Sequence, residues 1–244
     1  FLNAGAGNDD VYGGSGIDAL VGGTGNDLIF GGAQGDTLLT DDYTNPAATI
    51  GNDTGHGDGG NDLLWGYGGN DNLYGGSDNE SLVGNDYATN VAGNDGLYGG
   101  GGADTMFVGL GGNAYMDGAD GADIFYGGLL ADILRGGTGN DYMYGDLGGD
   151  DFLFYQADFV SGNSDIVYFV DAADDLLFSA SLSGALTLQD TVLQYDANPL
   201  NTVASWWHSD ADLGRVIENF NDMTKSRDMG FTAYQNSVRS FTDA

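Results

Sequence analysis

The chain has 244 residues and a formal net charge of -32, from five Lys plus Arg against 37 Asp plus Glu. Without a basic patch to neutralise phosphates, nucleic acid is excluded as a partner, and an anionic membrane surface would repel the chain. Forty-five glycines against two prolines and no cysteine exclude collagen, Pro-rich linkers, disulfides and thiolate metal sites.

The acidity is almost wholly aspartate, since only Glu80 and Glu218 are glutamates. Either acid would serve solubility, and glutamate is the better helix former. Preference for the shorter carboxylate therefore points to a tight geometric task repeated along the chain, with metal ligation first among candidates. Apolar residues make up 41% of the chain, enough to fill a core once the acids are neutralised. No stretch approaches the roughly 18 apolar residues of a membrane span, so no membrane insertion is expected. The chain opens Phe1-Leu2-Asn3 without Met or a basic leader, which reads as a processed product or a segment of something larger, cut inside or just before its first repeat.

From the first residues a nine-residue period is visible on the pattern G-G-x-G-x-D-x-U-x, with U a large apolar residue, as in RGGTGNDYMY. The sixth place holds Asp9, Asp18, Asp27 and Asp36, then Asp53, Asp62 and Asp71, then Asp95 and Asp104, and finally Asp123, Asp132, Asp141 and Asp150. Two places later stand Val11, Leu20, Ile29, Leu38, Leu64, Leu73, Leu82, Leu97, Met106, Met116, Phe125, Leu134, Met143 and Phe152. A chance period would not keep three residue types in phase over about sixteen units.

Each unit reads as a Gly-rich turn followed by a short strand whose middle side chain points inward. Glycines such as Gly5, Gly7, Gly14, Gly16, Gly23, Gly25, Gly137 and Gly139 accept φ > 0 and bring their carbonyls close to a bound ion. Two units make one coil, and coils stack about 4.7 Å apart as parallel strands. Aspartates eighteen residues apart then become neighbours: Asp9 with Asp27, Asp18 with Asp36, Asp53 with Asp71, Asp123 with Asp141, Asp132 with Asp150. Carboxylates so stacked repel one another, and a hard cation taking about six to eight oxygens relieves them. Magnesium prefers a smaller octahedron with retained waters, and zinc prefers His or Cys. Several Ca2+ ions are the expectation. The bland alternative is a set of solvated Asx turns, which would not need so many phased aspartates.

On these residues the chain resembles the repeats-in-toxin (RTX) family over roughly residues 4 to 153. The resemblance implies a calcium-loaded parallel β-roll and export by a type I system in a calcium-poor, unfolded state. It does not single out one protein, because the same module is attached to proteases, lipases, epimerases, adhesins and surface-layer proteins.

The period breaks at residues 40 to 56, with Pro46 and with Gly55 where a core residue belongs, and again at residues 84 to 89. Glu80 and Ala114 replace aspartates, while Gln34, Asp78 and Leu130 replace glycines. Metal occupancy is open around 40–56, 80–92 and 108–117. Aromatic residues at the ninth place point outward, and if the first break counts as one unit, Tyr12, Phe30, Trp65, Phe107, Tyr126 and Tyr144 share a face. Such a stripe suits assembly with other chains, stacking on sugar rings, or simple shielding of the sheet. His56 reads as a loop residue and His208 as packing beside Trp206 and Trp207.

The division expected is a calcium-binding roll over 1–155, a β capping region over 156–197 and a helical tail over 198–244. In the tail, Leu213, Val216, Ile217, Phe220 and Met223 follow a helical stripe, and a last short helix holds Tyr234, Val238 and Phe241. The fold class is all-β: a right-handed parallel β-roll, or β-solenoid, with a β cap and a short helical tail. No H-E-x-x-H, G-x-S-x-G or cysteine nucleophile is present, so no enzyme is expected. The functional expectation is a secreted, extracellular, calcium-dependent structural subunit of a surface layer, sheath or filament at the cell surface. It would associate with itself and could meet a cell-surface polysaccharide. The alternatives are the calcium-binding export module of a larger secreted hydrolase and a glycan-binding adhesin.

Overall fold

The computed structural model describes residues 1–41, 51–85, 93–109, 111–158, 164–169, 174–179, 202–207 and 238–241. Two ten-stranded sheets lie face to face, and consecutive strands alternate between them. The first contains β1 (Leu2–Ala6), β3 (Ala19–Thr24), β5 (Thr37–Asp41), β7 (Leu63–Tyr67), β9 (Ser81–Asn85), β11 (Thr105–Phe107), β13 (Ile124–Gly128), β15 (Tyr142–Asp146), β17 (Ser164–Phe169) and β19 (Thr202–Trp207). The second contains β2 (Asp10–Ser15), β4 (Leu28–Ala33), β6 (Thr54–Gly59), β8 (Asn72–Gly76), β10 (Gly96–Gly102), β12 (Tyr115–Gly121), β14 (Ile133–Gly139), β16 (Asp151–Phe154), β18 (Asp175–Ser179) and β20 (Val238–Phe241). Nearly all pairings are parallel and in register; β17 with β19 is antiparallel. This is the parallel β-roll that the nine-residue period predicts.

Except for β11, the strands are longer than the three residues expected of each unit. They begin after the sixth-place Asp and run through the following Gly-Gly, as in β2, so those glycines belong to the sheet as well as to the turn. The large apolar residue of each repeat fills the space between the sheets: all of Val11, Leu20, Ile29, Leu38, Leu64, Leu73, Leu82, Leu97, Met106, Met116, Phe125, Leu134, Met143 and Phe152 are buried. Gly55 does occupy a core place, between Ile29 and Leu73 in register. Leu73 Cδ2 at 3.3 Å, Leu64 Cδ2 at 3.6 Å and the Thr40 methyl at 3.6 Å close around where its Cβ would be, so Thr40 near the end of β5 helps the core leucines cover the missing side chain.

Coils are mostly spaced eighteen residues apart, with 19 between Asp104 and Asp123, 24 at the last step of each ladder, and the largest gaps at the first break. Asp27 and Asp53 are 26 apart, and Asp71 and Asp95 are 24 apart. The described strands keep alternating between the sheets across both breaks, β5 being followed by β6 and β9 by β10 in the opposite sheet. That corrects the expected aromatic stripe. Tyr12, Phe30, Tyr74 and Tyr98 fall on one sheet, and Trp65, Phe107, Tyr126 and Tyr144 fall on the other.

His56 is likewise no loop residue. It lies in β6 and stacks between Phe30 and Tyr74, with ring centroids 4.8 and 4.7 Å away. Beyond residue 155, β17 and β18 extend the two sheets. Val238–Phe241 is a strand pairing with β18, not part of a last helix; its residues pair in β-register with Leu176–Ser179, which overrides the helical spacing seen locally. The helix expected over Leu213–Met223 lies outside the described residues, as do Tyr234 and His208.

Candidate metal centre

Two ladders of carboxylates run along the roll, one at each row of turns. In the first, the backbone N–H of each Asp donates to the carboxylate one coil further on: Asp9 to Asp27 (2.8 Å), Asp27 to Asp53 (2.7 Å), Asp53 to Asp71 (2.9 Å) and Asp71 to Asp95 (3.0 Å). At Ala114 the carboxylate is missing, and the ladder resumes as Ala114 N–H donates to Asp132 (2.7 Å) and Asp132 N–H to Asp150 (2.9 Å). In the second, Asp18 donates to Asp36, Asp36 to Asp62, Glu80 to Asp104, Asp104 to Asp123 and Asp123 to Asp141. All five pairs expected from the eighteen-residue spacing are therefore neighbours.

The ladders continue past the glycine-rich region, which the repeat pattern did not reveal. Asp141 N–H donates to Asp165 (3.1 Å) and Asp150 N–H to Asp174 (3.3 Å). The signal was there in miniature: Asp165-Ile-Val167 and Asp174-Asp-Leu176 keep the D-x-U spacing after the glycines are gone. A parallel set of asparagines one place earlier was also overlooked. Asn8, Asn26, Asn52, Asn70 and Asn94 each accept from the backbone N–H of the following coil, at 2.7–3.0 Å. These are solvated side chains that hold the turn in shape and need no ion.

The aspartates differ in this respect. One carboxylate oxygen is used by the ladder at Asp27, Asp36, Asp53, Asp62, Asp71, Asp104, Asp123, Asp132 and Asp141, while the other, Oδ2, is buried and without a hydrogen bond there, as it is at Asp9 and Asp18, where the ladders begin. A buried unpartnered carboxylate oxygen is expensive, and a repeat that leaves one at turn after turn requires a common partner.

The surroundings of those oxygens say what kind. Where the first place of the turn is a glycine, Oδ2 lies over it, in space a Cβ would fill. Over Gly31 that space is 2.6 Å from Asp36 Oδ2 and 2.8 Å from Gly57 O; over Gly66 it is 2.5 Å from Asp71 Oδ2 and 2.7 Å from Gly84 O; over Gly127 it is 2.8 Å from Asp132 Oδ2 and 2.5 Å from Gly145 O. An acid oxygen and a carbonyl oxygen thus converge on one cradle, repeated coil by coil. Among the described residues no group of three or more His, Cys, Asp or Glu side chains is set to hold a metal by itself. The shell therefore combines one or two carboxylates with backbone carbonyls, an all-oxygen set that fits calcium.

The second and fourth glycines have a different task. Gly5, Gly7, Gly14, Gly16, Gly23, Gly25, Gly137 and Gly139 all have φ between 94° and 147°, where a side chain would be strained. They are brought together vertically: the Gly5 and Gly7 carbonyls face Gly23 and Gly25, and those of Gly14, Ala119 and Gly121 face Gly32, Gly137 and Gly139. Glycine at these places is what lets successive turns nest with their carbonyls directed along the row of cradles.

The electrostatics of the metal-free roll agree. Burial pushes Asp71 up to about 9, Asp123 to about 8 and Asp132 to about 7, with like-charged neighbours adding to burial. Glu80, which stands in an aspartate place, is held up at about 8 by burial and by Asp104. Each carboxylate would need a proton or a metal ion to sit comfortably where the fold puts it.

The RTX calcium-binding nonapeptide repeat, a pattern of four copies, matches residues 1–20, 12–42, 48–82, 83–115 and 117–152. No curated protein matches the chain. Since the matched segments span more than half of the chain and the roll presents the oxygen cradles that such repeats require, the chain belongs to the RTX calcium-binding repeat family, and it binds multiple Ca2+ ions.

Proposed function

We propose that this is a secreted, non-enzymatic structural protein whose calcium-rigidified roll assembles with copies of itself into an extracellular layer, sheath or filament. The observation that carries this reading is the pair of aromatic ladders on the outer faces of the sheets. On one face Tyr12, Phe30, His56, Tyr74 and Tyr98 stack with centroids 4.7–5.2 Å apart and planes within 8° of parallel. On the other, Phe107, Tyr126, Tyr144 and Tyr168 stack at 4.0–5.1 Å. Flat aromatic strips of this kind, set on a strongly acidic body, offer apolar docking area at little entropic cost.

Calcium supports the reading by linkage. Ions bound only by the folded roll stabilise it by mass action and cancel its self-repulsion. A chain exported before meeting calcium would fold and assemble outside the cell, where the ion is abundant. Electron microscopy of native material with and without calcium tests this: ordered assemblies in calcium that dissolve in EGTA are expected, and a Tyr12→Ser, Tyr74→Ser double variant is expected to stay folded but dispersed. Monodisperse wild-type protein in saturating calcium would overturn the assembly reading. A native intact mass far above that of this chain would favour instead the export module of a larger secreted hydrolase.

A further inference from the structure

Among the described turns before Phe154, the turn at the first break alone lacks both of the adjacent glycines. Thr40 takes the place of the first glycine and Asp41 that of the second. Thr40 is fully buried and its side chain occupies the cradle that glycine leaves open elsewhere: its hydroxyl donates to Gly66 O at 2.8 Å, the very carbonyl that would face an ion there. Thr40 also stands beside the Asp53 carboxylate, but its hydroxyl has one proton to give and gives it to Gly66 O, so Asp53 Oδ2 is left without a hydrogen bond. The ordinary site is closed while its carboxylate is still unsatisfied.

Asp41 supplies what the cradle has lost. Asp58 and Asp146 stand in the same second place of their own turns, adopt φ of 72° and 65°, and are exposed. Asp41 keeps a negative φ and is only 1% exposed. Its Oδ2 accepts from Gly68 N–H at 3.4 Å, and its Oδ1 is buried with no hydrogen bond. Asp53 is its strongest charged neighbour, and Asp53 Oδ1 and Oδ2 lie 2.5 and 2.9 Å from the Cβ direction of Gly51, whose backbone N–H also faces Asp41. Asp41 and Asp53, each with one buried carboxylate oxygen that has no hydrogen bond, thus both meet Gly51 in a turn whose usual cradle is filled.

We propose that this turn holds a relocated calcium ion, bridged by Asp41 and Asp53 and distinct from the cradles over the first glycines. The proposal rests on calcium binding by the roll and not on its assembly. Two carboxylates on one ion raise affinity over a site with a single acid oxygen, because ligand charge tunes calcium binding. This turn then fills early as calcium rises and pins the coil that carries the longest insertion.

Calcium titration of the full chain, read by equilibrium dialysis and metal analysis, tests it. Asp41→Asn is expected to bind one ion fewer at limiting calcium and to weaken the tightest phase at least about 10-fold, while keeping its β circular dichroism in saturating calcium. Thr40→Gly with Asp41→Gly reopens the ordinary cradle and is expected to restore the ion count. An Asp41→Asn titration superimposable on wild type would overturn the proposal. Calcium-loaded crystals of the wild-type chain read the same point without a variant: an ion bonded to both Asp41 Oδ1 and Asp53 Oδ2 supports it, and an Asp41 carboxylate bonded to no metal refutes it.

Discussion

Two buried carboxylates, Asp71 in the middle of the roll and Asp158 at its far end, are equally inaccessible, at 1% and 2% exposure, yet are stabilised differently. Asp71 has one oxygen on the backbone N–H of Asp53 and the other open toward a cradle. Asp158, in the 3-10 turn Gln156–Asp158, accepts from Arg135 Nη2 at 2.5 Å and from Tyr155 N–H at 2.7 Å, and the same Arg135 reaches Asp117 at 2.9 Å and lies 5.0 Å over the Tyr155 ring. A fixed arginine can serve one place in a chain. A deficit repeated at every turn is met more economically by a diffusible ion of the right size, and four of the five basic residues accordingly lie outside the repeats.

The largest effect that separates the two is calcium removal. Excess EGTA leaves the carboxylates of both ladders buried beside one another without compensation, so circular dichroism is expected to lose its β signal cooperatively. Persistence of the full signal in chelator would break the comparison at its root.

Next comes pH, applied to the metal-free protein. Asp71, Asp123, Asp132 and Asp62 have folded values of about 9, 8, 7 and 6, raised chiefly by burial, against an unfolded value of roughly 4. Between roughly 4 and 9 the folded state therefore holds more protons than the unfolded one, and stability falls as pH rises. The contribution is complete below the unfolded value and lost through the folded ones. Without calcium, the β signal is therefore expected to survive best near pH 5 and to fade steadily towards pH 9, where chelation removes it altogether. With calcium the trend should reverse over the acid side, since the ion competes with those protons and binding releases them.

Arg135→Ala gives the third and more local effect. Removing one partner strands Asp158 as a buried charge, at a cost of about 3 kcal/mol, at the low end for such pairs because the Arg135 side chain is 23% exposed. The loss should persist in saturating calcium, and hydrogen exchange should quicken at β14, β16 and the turn between β16 and β17 before it does in β3 to β8.

Much of this architecture could be read from residue spacing alone. Between the breaks, and apart from one extra residue between Met106 and Met116, the apolar places from Val11 to Phe152 recur every nine residues and all lie in the core, and the five aspartate pairs follow from the eighteen-residue coil. What escaped notice depended on long-range context. Whether the first break adds a strand cannot be told from its length, and that parity decides which sheet carries Trp65. Thr40 looks like one more irregularity until its methyl is found against Gly55 and its hydroxyl on Gly66. Val238 and Phe241 keep a helix-like spacing, yet in the fold they lie beside Leu176 and Ser179.

The finest distinction is between residues in the same place of neighbouring coils. Ala119 and Gly137 face each other in register between β12 and β14, both with positive φ, 69° and 100°. A value near 69° lies in the left-handed region that alanine tolerates at a cost of roughly 1–2 kcal/mol, whereas 100° lies outside it. Glycine at 119 removes that strain but adds freedom to the unfolded chain, an offset of about 0.4–1 kcal/mol. Ala119→Gly should therefore stabilise the calcium-loaded roll by about 1 kcal/mol or less, a rise of a few degrees at most in thermal midpoint. Gly137→Ala should cost several times more, because its Cβ would lie within 2.8 Å of the Ala119 backbone as well as in strained φ. Equal and opposite effects from the two substitutions would mean that backbone strain alone, and not the nesting of one turn's carbonyls under the next, sets where this roll requires glycine.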